Sequence, residues 1–192
     1  MIKTITAVLA AGFLLALPSV QAELKVGVVD MNRIFSAYYK TKDAEAKINE
    51  ARTTAKTDLD ERMASYKEEL EAINKLNQEM QREELSEEVK AEKARERDEK
   101  IAEVKSLERE INEFRATREK QLQEQAVRMR NGIVEEITEI VKKIVQAKGF
   151  DLVFDSSGST LNGVPVLVHA KPDMDFSEEV IKELNANRPG GE

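Results

Sequence analysis

An α+β fold, mostly α, is what the sequence predicts: a long antiparallel helical hairpin, coiled-coil-like, projecting from a small β-rich oligomerisation body. Two observations carry it. From Thr41 to Lys148 the chain has no proline and a single glycine, Gly132, and these are the residues that normally interrupt helices. Short apolar, β-branched pieces flank that run on both sides.

The first residues look like an export signal. Lys3 is followed by an apolar stretch from Ile5 to Leu17, and Val20-Gln21-Ala22 forms a small-residue cleavage site between Ala22 and Glu23. The apolar stretch is shorter than the roughly twenty residues that span a bilayer, so residues 1–22 are expected to be removed and no stable membrane insertion is expected. Loss of Lys3 makes the formal net charge of -7 one unit more negative, which argues against nucleic acid as a partner. With no cysteine, the exported chain has neither disulfides nor a lipidated anchor, which points to the periplasm.

Leu24, Val26 and Val28 alternate as one face of a first strand, and Asp30 can cap a short helical segment running through Ile34 and Phe35 towards Tyr38. From Thr41 the apolar positions are Ile48, Ala51, Ala55, Leu59, Met63, Tyr66, Leu70, Ile73, Leu76 and Met80. Their spacing is that of a coiled-coil seam. Ser86, followed by two acids, offers a helix cap, so the hairpin tip is placed near 81–89. The pattern resumes at Ile101, Val104, Leu107, Ile111, Phe114, Leu122, Ala126, Met129, Ile133, Ile137, Ile140 and Ile144, with Arg118 on the seam. Gly149 closes the helix in a left-handed cap. A first arm ending at Glu84 would span about 65 Å, and the second is longer by about a third, so its foot at 130–148 must enter the body.

Leu152 to Asp155 is expected to form a second strand, with a polar turn from Ser156 to Gly163 and a third strand from Val164 to His169 pairing as a hairpin. Asp175 to Glu178 has capping-box spacing for a last helix through Leu184, and 187–192 is expected to be a frayed tail. The expected division is thus a body of 23–40 and 149–186 with the foot, and an arm of 41–129. Unpaired strand edges and a small core without staples favour a homo-oligomer built through the body.

Chemistry is thinly supplied. His169 is the only histidine and lacks the second His or Cys of a metal site, so neither an enzyme nor a cofactor is expected. Asp30, Asp151 and Asp155 fall at strand ends, where cap and turn roles outweigh a catalytic carboxylate pair. Gly158 to Gly163 lacks the Lys-Ser or Lys-Thr of a phosphate loop, and Lys90, Lys93, Arg95 and Arg97 alternate with acids as on a solvated helix face.

The order of parts resembles the Skp/OmpH family of periplasmic chaperones across the whole mature chain. The matching segments are Lys25-Val26-Gly27-Val28-Val29-Asp30-Met31-Asn32-Arg33-Ile34-Phe35, the charged helices, Gly149-Phe150-Asp151-Leu152-Val153-Phe154-Asp155, and the helix from Asp175 to Asn185. The resemblance implies a trimer with three arms around a cavity, holding unfolded outer-membrane proteins without ATP. Met63, Tyr66, Met80 and Phe114 are the candidate client contacts, although seam packing competes for each. The best-known family type is basic and this chain is acidic, so electrostatic capture of acidic clients or lipopolysaccharide does not carry over. An exported coiled-coil scaffold of the cell envelope would show the same seam and charge, and is the alternative.

Overall fold

The computed structural model describes residues 23–189. The expected leader, 1–22, and residues 190–192 of the expected tail lie outside them. Strand β1 (Val26–Val29) leads through α1 (Met31–Ala37) into α2 (Tyr39–Met80), and α3 (Glu87–Lys148) returns to β2 (Leu152–Asp155). A 3-10 turn at Pro172–Met174 precedes α4 (Ser177–Asn185).

Each helix boundary has a local cause. The Asp30 carboxylate accepts the Arg33 N–H at 2.8 Å and starts α1. Tyr38, extended at ψ 128, ends α1 and begins α2, forming the elbow at which the arm leaves the body. At the tip, the Ser86 hydroxyl accepts the Val89 N–H, and Glu87 and Glu88 complement the positive end of α3. Gly149 adopts φ 65 and stops α3, with the Phe150 amide donating back to the Val145 carbonyl at 3.1 Å.

The lengths produce the topology. With 42 residues in α2 and 62 in α3, the helices rise about 63 and 93 Å. The excess carries α3 past the elbow and through the body. Because the hairpin brings the chain back to its starting end, β2 pairs with β1 in parallel, Val26 opposite Leu152 and Val29 opposite Asp155. Lys25 and Asp151 pin the start of this register: the Lys25 N–H donates to the Asp151 carboxylate, and the Asp151 N–H to the Lys25 carbonyl.

One sequence expectation fails. Among the described residues the body has two strands, and the segment from Val164 to His169 is not a third. The chain turns tightly at Gly163, φ 76, and folds against residues 158–160 through a single bridge between Ser159 and Pro165, not against β2. Pro165 has no N–H to donate, so a regular ladder cannot grow from that bridge. Leu24 also lies before β1 and is exposed, and β1 is buried on both faces rather than one.

The core is assembled from parts far apart in sequence: Val29, Ile34, Tyr38, Ile133, Ile137, Phe176, Val180 and Leu184. Ser177 is its one fully buried polar side chain, accepting the Asp30 N–H at 2.8 Å and donating to the Asp175 carboxylate at 2.6 Å. Glu178 does not complete a capping box at this helix start; its carboxylate lies 3.7 Å from Arg33. Ser177→Ala strands the Asp30 amide and one carboxylate lone pair, and should cost about 1–3 kcal/mol, read as a lower urea midpoint at unchanged slope.

Candidate functional site: the open seam of the arm

The two helices of the arm meet along the predicted seam, but they do not close it evenly. Buried seam residues lie in the outer half, at Ile73, Leu76, Val104 and Ile111, and at the root, at Ile48, Ile133 and Ile137. Between these zones every apolar seam residue is only half-buried, and Arg118 is exposed. The outer half is further clamped across the helices by Lys93 to Glu79 at 2.6 Å and Lys100 to Glu69 at 2.8 Å. Pairing raises the affinity of Lys93 and of Lys100 for its proton, chiefly through the hydrogen bond to the partner carboxylate.

Side-chain size explains the open stretch. Ala44, Ala51 and Ala55 on α2 face Ala126, Leu122 and polar residues on α3, too little volume to fill the space between two helix backbones. Three grooves follow one another along it. The first, of about 400 Å³, lies at the root between Phe35, Ala44, Ile48, Ala126, Met129 and Ile133. A second of about 310 Å³ lies beside Thr54 and Gln121, and a third of about 420 Å³ beside Arg62 and Phe114.

The four sequence candidates are all half-buried. Phe114 lines the third groove, but the Arg62 guanidinium lies 4.2 Å from its ring centroid and that of Arg118 lies 5.2 Å away. Those contacts hold the ring in the arm. Met63, Tyr66 and Met80 line none of the three grooves. The root groove and its neighbour were missed from sequence; their signal was the run of small seam residues, Ala44 and Ala126 at the first and Ala51 and Ala55 at the second.

The root of the arm is tied by one polar cluster. Tyr38 donates to Glu136 at 2.7 Å, and Lys40 donates to both oxygens of the same carboxylate at 2.9 and 2.7 Å. Burial first and Glu136 second push the Tyr38 phenol up to about 12, while the Lys40 hydrogen bond and then that of Tyr38 hold Glu136 below its ordinary value of 4.5. A carboxylate depressed in the fold stabilises it above the unfolded value, and that contribution is lost as pH falls through the folded one. Glu136→Gln should therefore lower stability at neutral pH and show a shallower loss than wild type between about pH 5 and about pH 3, measured by urea titration at each pH.

The second surface is the outer edge of β2, which has no partner among the described residues. Leu152 and Phe154 on the strand, and Leu161, Val164, Val166 and Val168 beyond it, are all exposed. Such an edge is a template for pairing with another chain.

The strand-end aspartates and three of the cluster's cations have structural partners. Asp30 caps α1, Asp151 holds Lys25, and Asp155 accepts the N–H groups of Met31 and Ser157. Lys90, Lys93 and Arg97 pair with Glu87, Glu79 and Asp98. His169 is exposed on the loop after the turn. Among the described residues, no cluster of three His, Cys, Asp or Glu is placed to hold a metal ion, and no helix is long and apolar enough to cross a membrane.

A long helical hairpin rooted in a small two-stranded body, with an open seam and a bare sheet edge, defines an arm-and-body architecture. The chain belongs to the OmpH-like outer membrane protein family, whose model matches residues 25–184. Its fold is similar to the crystal structure of a candidate outer membrane chaperone (OmpH-like) from Caulobacter crescentus, with a TM-score of 0.68 at 13% identity over 86% of each chain. Comparison with curated proteins gives no match.

Proposed function

We propose that this protein is an ATP-independent periplasmic holdase that keeps unfolded outer-membrane β-barrel proteins soluble between its helical arms. The observation that carries the reading is the open seam: a long arm left with grooves that its own side chains do not fill. Such a surface offers many weak contacts and no catalytic set, which suits retention without chemistry. Family membership supports the same reading. The bare edge of β2 favours a homotrimer assembled through the body, and Met63, Tyr66, Met80 and Phe114 remain proposed client contacts along the arm. Export follows from the expected leader, with Glu23 as the first mature residue.

Light scattering tests the claim. An outer-membrane β-barrel protein diluted from urea should stay clear at stoichiometric amounts of the trimer; unchanged aggregation overturns the holdase and leaves an envelope scaffold. The solution mass of the same sample should be that of a trimer, and a monomer removes the cage.

A further inference from the structure

The root groove differs from the other two in its chemistry. Its floor is apolar, made by Ile48 and Ile133 with the side of Phe35, while Arg52 and Arg130 stand exposed on its rim. Neither guanidinium has an ion-pair partner among the described residues. Both stand within reach of the groove floor, Arg52 from α2 and Arg130 from α3. Glu45 is the one acid on the rim, two turns from Arg52 on α2, or about 10 Å along the axis towards the body. The outer end of the groove is therefore positive. In its wall the Thr41 hydroxyl is buried without a hydrogen-bond partner, a cost that a bound polar group can relieve.

We infer that this groove anchors an extended client segment in which a bulky apolar side chain stands next to a carboxylate. The apolar side chain enters between Ile48, Ala126 and Ile133, and the neighbouring carboxylate meets Arg52 and Arg130. A volume of about 400 Å³ is ample for one aromatic side chain. Charge complementarity at the rim selects an acidic neighbour over a basic one. The inference rests on the holdase reading and adds to it a preference within the client sequence, set by the root of the arm rather than by the net charge of the chain.

Two fluorescein-labelled peptides of the same Gly/Ser background, one containing Trp-Asp and the other Trp-Lys, test this by anisotropy with the intact oligomer. The Trp-Asp peptide should bind about fivefold more tightly, and Arg52→Glu with Arg130→Glu should reverse the order. Ala126→Trp, which fills the groove, should weaken both peptides. The charge-reversal pair lies on the exposed rim and keeps the test valid should the Trp variant fold poorly. Equal binding of the two peptides to wild type, or an order unchanged by charge reversal, overturns the inference. Light scattering with a β-barrel client on the same samples reports separately on the holdase: suppression without peptide preference sinks the anchor alone, and no suppression sinks the holdase.

Discussion

Ile137→Ala is expected to remove about 3–4 kcal/mol of stability, a large share of what a domain of this kind possesses. Ile137 has no exposed surface and sits where the foot of α3 crosses the body, in the cluster that also holds Ile34, Tyr38, Val180 and Leu184. Deleting three carbons there removes their burial and leaves a cavity whose walls come from three different helices. Those walls cannot close independently, because α3 is fixed on one side by the β2 register and on the other by the Glu136 cluster. A urea midpoint that drops at unchanged slope is the expected readout. Leu122→Ala in the open seam, where the side chain is only half-buried, is the internal control and should cost under about 1.5 kcal/mol. Equal losses at the two positions would place the core of the molecule elsewhere.

The contrast between Ile137 and Leu122 marks how far the sequence could be followed. Helix ends were legible because their causes are local: Asp30, Ser86 and Gly149 act within a turn of their own position, and the structure finds each in that role. The seam was legible because its spacing near 3.5 persists over both helices. The supposed third strand was not, although Val164, Val166 and Val168 alternate as strand residues do. Alternation reports a side chain's preference for a pleated face, whereas a strand needs a partner, and the pairing this segment makes among the described residues is one bridge between Ser159 and Pro165. At the candidate site the difficulty was similar. Large apolar residues draw attention in a sequence, yet in a seam they fill space; Phe114 is held between two guanidiniums. Open volume arises where side chains are small, so the alanines at 44, 51, 55 and 126 carried the information about the grooves.

Gly27→Val is the second large effect, expected at about 2–3 kcal/mol of destabilisation. Gly27 lies in the middle of β1, and a Cβ there would stand 2.8 Å from Cε1 of Phe176 and 3.2 Å from two ring atoms of Phe150. The two rings stack with centroids 5.2 Å apart at an interplanar angle of 21°, directly over the glycine. Phe150 is half-buried and can yield, but Phe176 is only 5% exposed, and its own amide donates to the Val28 carbonyl at 3.1 Å. A side chain at 27 therefore pushes α4 away from β1, and with it the Ser177 hydroxyl from the Asp30 amide. Gly27→Ala should already be felt, since 2.8 Å is inside van der Waals contact, and valine adds two further methyl groups to the same clash. A double-mutant cycle identifies the cause: Phe176→Leu should recover part of the loss in the Gly27→Ala background, whereas Phe150→Leu should recover less. Wild-type stability in Gly27→Val would mean that β1 and α4 are not packed ring-to-backbone, and that the body is held by its strand pairing alone.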